Sequence, residues 1–124
     1  MKVPYGPFKA MDTLREWAHE LKHSNKLVIV EGKKDRKALE NLGVKRIITF
    51  ANSSYLSLED IKEKEVIILT DLDSHGKKLY SILKHNLQKR GVKIDWKFRK
   101  FLFKEKIATV ESITKLFDYS RIKL

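Results

Sequence analysis

Three carboxylates in two short motifs are the residues best placed to do chemistry. Glu31 stands in Glu31-Gly32-Lys33-Lys34-Asp35, and Asp71 and Asp73 in Asp71-Leu72-Asp73-Ser74-His75-Gly76-Lys77. Carboxylates brought close together repel, and a cation offsets that cost. Their hard oxygen atoms suit Mg2+ or Mn2+, and Mg2+ takes one or two carboxylates while leaving positions for water and a substrate phosphate. Behind each acid stand residues suited to phosphate: Gly32, Lys33 and Lys34 in one motif, Gly76 and Lys77 in the other. Each set falls where a helix is expected to begin, and helix N-termini offer free N–H groups and partial positive charge. An acid at a strand end also has the ordinary role of capping the helix that follows. Two such sites with the same Gly and Lys behind them favour the chemical reading.

Other chemistries find less support. The chain has no cysteine, so thiolate metal sites, disulfides and a Cys nucleophile are excluded. His19, His23 and His85 lack the spacing of metal ligands and are expected on the surface. His75 is either a proton shuttle near phosphate or a polar residue at a helix start. The Asp71-x-Asp73 pair alone also suits a phosphatase with an aspartyl nucleophile, but His75 stands where such enzymes carry Thr or Val, and Glu31-Gly32-Lys33 has no role there.

The acids need elements to position them. Residues 26–30 and 65–70 are short apolar runs rich in β-branched residues, the pattern of parallel strands buried on both faces. Each ends at an acid. In open α/β sheets ligands bind beyond the carboxyl ends of the strands, so neighbouring strands here would bring Glu31, Asp71 and Asp73 to one edge. Helices are expected over 11–23, through Leu14, Trp17, Ala18 and Leu21; over 33–42, stopped by Gly43; from the Ser57–Asp60 capping box to about Lys64; and from the second motif to Arg90, stopped by Gly91. Residues 46–50 read as a further strand. In residues 92–98, Val92, Ile94, Trp96 and Phe98 alternate with Lys93, Asp95, Lys97 and Arg99, which predicts a strand with one wet face. The aromatics Trp96, Phe98, Phe101 and Phe103 are expected in the core in preference to stacking on bases, and Lys93, Lys97 and Arg99 on the face that meets nucleic-acid backbone. A terminal helix is expected over 110–119. Strands alternating with helices imply an α/β fold, a mainly parallel central sheet with helices on both faces. A single domain over 1–124 is expected.

The chain carries 27 basic and 16 acidic residues, a net charge of +11 in 124 residues. Such a field attracts polyanions, so nucleic acid is the expected partner. No apolar run approaches the ~20 residues that span a bilayer, and the start lacks the apolar core of a signal peptide. A soluble, cytoplasmic protein with no membrane contact is expected, as a monomer or homodimer and with room for a place in a protein complex.

The two motifs resemble those of Toprim domains. Val28-Ile29-Val30-Glu31-Gly32-Lys33-Lys34-Asp35 is similar to the first Toprim motif, and Asp71-Leu72-Asp73-Ser74-His75-Gly76 to the second, Asp-x-Asp-x-x-Gly. The resemblance covers about residues 26–100, with the helix 11–23 before that core and residues 101–124 as an extension after it. It implies a compact, Rossmann-like Toprim fold. It also implies Glu31 as general acid/base or metal-orienting carboxylate, Asp71 and Asp73 as Mg2+ ligands, and Lys33 on phosphate. Within that class the chain is similar to stand-alone proteins related to the ribosomal-RNA maturation nuclease. In that comparison Asn52 and Ser53, in the turn between the motifs, orient the site, and Glu111 matches a downstream acidic element or is an ordinary helix N-terminal acid. Asp35 is either a partner of the site or a first-turn acid. Leu72 and Lys77 depart from the Pro and Glu common at those places, which weakens a two-metal mechanism. Tyr5, Tyr55, Tyr80 and Tyr119 lack the context of a cleavage tyrosine.

The expectation is therefore Mg2+- or Mn2+-dependent phosphodiester chemistry on nucleic acid, as an RNA- or DNA-processing nuclease. The alternatives are a non-catalytic nucleic-acid-binding module of a larger complex and a primase-like nucleotidyl transferase.

Overall fold

A computed structural model describes residues 13–50 and 61–113. The elements run α1 (Leu14–His23), β1 (Leu27–Val30), α2 (Lys33–Asn41), β2 (Ile47–Thr49), β3 (Glu65–Ile68), α3 (Ser74–Lys89), β4 (Lys93–Ile94) and α4 (Lys97–Lys104). The expected Ser57–Asp60 capping box, Asn52, Ser53 and the terminal helix beyond Ile113 lie outside the described residues.

The strands form one parallel sheet in the order β2-β1-β3-β4. Alternation along the central strands explains why they read as continuous apolar runs. Val28 and Val30 of β1, with Ile67 and Leu69, pack on the face covered by α1, α2 and α4. Ile29, Val66 and Ile68 pack on the opposite face, against Leu83 and Leu87 of α3. Both faces are dry, so both sets must be apolar. The result is the expected α/β architecture, a parallel sheet with helices on both sides.

Local signals set the helices. Thr13 caps α1: its Oγ1 accepts from the Glu16 N–H at 3.0 Å while Glu16 Oε1 accepts from the Thr13 N–H at 3.2 Å. The stops at Gly43 and Gly91 hold, with φ of +94° and +84° that a side chain would resist.

Residues 92–98 correct the expectation of one strand. The strand is only Lys93–Ile94, and α4 begins at Lys97. Phe98, Phe101 and Leu102 are buried at helical spacing, whereas Trp96 and Phe103 are exposed. The core wins because Trp17 of α1 holds α4 in place. The Trp17 Nε1–H donates to the Phe98 carbonyl at 2.8 Å, and its ring meets Phe98 edge-on at 6.1 Å. Such a buried aromatic contact adds about 0.5–1.5 kcal/mol beyond area burial.

Candidate functional site

The sheet order places a switch point between β1 and β3. The chain leaves β1 through α2 toward β2 on one side, and resumes at β3 on the other. Crevices at such points, beyond the carboxyl ends of the strands, are where α/β sheets hold ligands. Glu31 directly follows β1, and Asp71 stands three residues past β3.

The acids there find backbone donors. Glu31 Oε2 accepts from the Asp71 N–H at 2.7 Å. Asp35 Oδ2 accepts from the Gly32 N–H at 3.1 Å. Asp73 caps α3, its Oδ1 accepting from the Gly76 N–H at 2.8 Å. Asp71 fares differently: its Oδ1 is buried and, among the described residues, has no hydrogen-bond partner. Burial first, then the charges of Asp35, Glu31, Asp73 and Glu111, push its carboxyl up to about 6. Asp35 is also raised, chiefly by burial and further by Glu31 and Glu111, against the pull of its Gly32 hydrogen bond.

Gly76 sits buried under this loop, and a Cβ there would run into the Asp71 backbone carbonyl. The Thr70 hydroxyl donates to the Gly76 carbonyl at 2.8 Å and ties the strand end to the helix start. From α4, Arg99 Nη2 donates to the Asp71 carbonyl at 3.0 Å. Burial lowers the Arg99 pKa, and electrostatic interactions with Tyr80, Glu31 and Asp71 partly restore it. His75 is exposed, with Nε2 3.8 Å from Glu31 Oε1.

The pattern of a Toprim domain matches residues 25–96, which contain both acid motifs and the strands that carry them. The chain belongs to the Toprim domain family. It is 35% identical over 120 residues to the UPF0292 protein of Methanocaldococcus jannaschii, covering 91% of this chain and 94% of that one. It is 33% identical over 120 residues to the UPF0292 protein of Archaeoglobus fulgidus, covering 92% of each. A solved structure described as a putative protein from Aquifex aeolicus superposes with a TM-score of 0.76 at 35% identity, covering 81% of this chain and 97% of that one. Membership in the Toprim family points to metal-dependent nucleic-acid chemistry.

The Toprim fold brings some sequence candidates together and separates others. Glu31, Asp71 and Asp73 share the sheet edge, joined by Asp35 and Glu111, whose charges both act on Asp71. Yet among the described residues no group of three or more His, Asp or Glu side chains is gathered at metal-holding distances. Glu31, Asp35 and Asp73 each accept from a backbone N–H instead. An orphaned, buried carboxylate oxygen amid that much negative charge still fits a divalent cation.

Lys33 and Lys34 are exposed on the first turn of α2, and Lys77 on the first turn of α3. The Gly76 N–H, expected to meet phosphate, is taken by Asp73. Lys93 pairs in register with Glu65, at the opposite end of the sheet from the acids. Lys97 Nζ lies 3.4 Å from Glu20 Oε1 of α1. The bond from Arg99 to the Asp71 carbonyl had no signature in the sequence, since it depends on α4 replacing the expected strand. Among the described residues no helix is long and apolar enough to cross a membrane.

Proposed function

We propose that the chain is a divalent-metal-dependent phosphodiesterase of nucleic acid, an RNA- or DNA-processing nuclease. The observation that carries this reading is the Glu31–Asp71 edge, where Asp71 Oδ1 is buried, without a hydrogen-bond partner among the described residues, and surrounded by acids. Mg2+ or Mn2+ would be held by Asp71 with Glu31 and Asp73, and when bound it supplies polarisation of the phosphate and a more acidic water. The chain's own residues do the rest. Glu31 keeps Oε2 on the Asp71 N–H, which leaves Oε1, facing His75, to hold or move a proton. Lys33 balances charge that develops on the phosphate, with Lys34 and Lys77 steering the strand from the neighbouring helix starts.

A test uses end-labelled single- and double-stranded RNA and DNA, incubated with wild type and Glu31→Gln in Mg2+, Mn2+ or chelator. The expected result is metal-dependent cleavage that vanishes in the folded variant.

A second reading is a non-catalytic nucleic-acid-binding module of a larger complex. It is favoured by the use of Asp73 as a helix cap in place of a ligand. It predicts salt-sensitive binding that neither chelator nor Glu31→Gln alters.

A further inference from the structure

α4 carries two stripes at helical spacing. Phe98, Phe101 and Leu102 enter the core. Trp96, Arg99, Lys100 and Phe103 lie on the other side, and there Trp96 is 46% and Phe103 60% exposed. Together with Tyr80 of α3 these residues line a shallow groove of about 190 Å3. That is below the ~300–1,000 Å3 of pockets that enclose a drug-sized ligand, and its shape suits a flat ring laid against it.

Each aromatic in the groove has a cation beside it. Lys100 Nζ stands 4.9 Å from the Trp96 ring centre, the Arg99 guanidinium 4.2 Å from that of Tyr80, and Lys77 Nζ 5.8 Å from that of Phe103. A purely apolar partner would bury these charges unpaired, at several kcal/mol per ion. A strand of nucleotides matches the alternation, because it offers a flat base and an anionic phosphate in every unit. The net charge of +11 favours the same occupant. Arg99 links the groove to the acid site, since it stacks on Tyr80 and donates to the Asp71 carbonyl.

We propose that Trp96 and Phe103, beside the stacked Arg99–Tyr80 pair, form a stacking subsite for unpaired bases, which makes single-stranded nucleic acid the ligand of this face. The inference rests on the nucleic-acid reading of the acid site and narrows it, because bases inside a duplex cannot reach these rings. It also revises the expectation that all four aromatics of residues 96–103 are core.

Fluorescence titration tests it directly. Of the two tryptophans, Trp17 is fully buried, so a stacking base reports through Trp96. The protein is titrated with single-stranded RNA or DNA and with blunt duplex of equal length, in chelator and again as Glu31→Gln in Mg2+. Single strands are expected to quench the emission and duplex to leave it unchanged. Trp96→Ala should weaken single-strand binding by about 5- to 150-fold, the range for one stacked base. The salt slope should stay the same, and Trp96→Phe should restore most of the affinity. Phe103→Ala supplies a second variant at an exposed position. If both alanine variants bind single strands as tightly as wild type, the subsite is wrong while the nucleic-acid reading stands. If wild type binds no single strand at any salt, both fall. A wild-type dimer in sedimentation that Trp96→Ala makes monomeric would assign the groove to a second copy of the chain and overturn the proposal.

Discussion

The Asp71 N–H donates to Glu31 Oε2 at 2.7 Å, in the place where the next rung of the β1–β3 ladder would fall. The preceding rung runs from the Leu69 N–H to the Ile29 carbonyl at 2.8 Å. Two residues on along both strands, a carboxylate has replaced the carbonyl. Glu31 is thus part of the sheet's hydrogen bonding and of the acid cluster at once, which is why its two simplest substitutions should part company.

Glu31→Gln keeps an oxygen for the Asp71 N–H and removes one of the charges that repel Asp71. In chelator it should melt at or above the wild-type temperature. Glu31→Ala leaves the N–H without that acceptor, and a buried donor left unsatisfied costs about 1–3 kcal/mol. It should therefore be less stable than Glu31→Gln by about 1–3 kcal/mol in urea denaturation. Both variants should lose metal-dependent cleavage. Equal stability of the two would show that the bond does not support the fold.

The pH dependence of stability should carry the mark of Asp71. Its folded carboxyl is raised from 3.8 to about 6, first by burial and then by the neighbouring acids. Folded protein therefore binds more protons than unfolded between these values, and stability falls with rising pH. The contribution is fully present below pH ~4 and is lost as pH rises through about 6. In chelator, thermal melts should show this decline, and Asp71→Asn should shrink it to the part that the raised Asp35 carboxyl contributes. Added Mg2+ should raise the melting temperature more at pH 8 than at pH 5, because a ligand carboxylate must be ionised. A Mg2+ effect equal at both pH values would remove Asp71 from the metal site.

What the sequence made legible follows from how local each signal is. The stretches Leu27–Val30 and 66–69 are apolar at every position because both faces of β1 and β3 are covered, and this survives without tertiary information. The stops at Gly43 and Gly91 are equally local. Residues 92–98 fit a period of 2 as well as a helix start, and a window that short cannot arbitrate. The choice is made at a distance, by Trp17 bonding the Phe98 carbonyl across 81 positions and by Lys26 pairing with the buried Asp95 at 2.7 Å. The same choice puts Trp96 and Phe103 outside and brings Arg99 to Asp71. Asp35 was legible as an acid near the site; its hold on the Gly32 N–H and its charge on Asp71 show that it acts as both cap and neighbour.

Gly76→Ala should be among the most damaging single changes of the site. The added methyl meets the backbone carbonyl of Asp71, and no flexible side-chain end is there to give way. Overpacking of this kind costs about 1–3 kcal/mol, more than the ~1 kcal/mol that Ala gains over Gly inside a helix. The urea midpoint should fall. Because the displaced group is the backbone of Asp71, the stabilisation that Mg2+ confers on wild type should fall as well. A variant with unchanged midpoint and unchanged Mg2+ response would show that the loop moves freely.

Arg99→Lys tests whether charge or shape matters where α4 meets the acid loop. The guanidinium does two things at once: its face lies 4.2 Å from the centre of the Tyr80 ring, and Nη2 donates to the Asp71 carbonyl at 3.0 Å. A lysine ammonium is a compact point charge that cannot stack and fork together, and it is more strongly hydrated, so half-burial penalises it further. The expected loss is about 1–3 kcal/mol, from a hydrogen bond to a charged group and a partly desolvated cation–π contact. Tyr80→Phe keeps the ring face and should be close to neutral. Thermal melts of the two variants, with metal-dependent cleavage measured on the same samples, separate the outcomes. Loss in Arg99→Lys with Tyr80→Phe intact would mean that α4 holds the Asp71 loop in its working position. Wild-type behaviour of Arg99→Lys would mean that a positive charge alone suffices there.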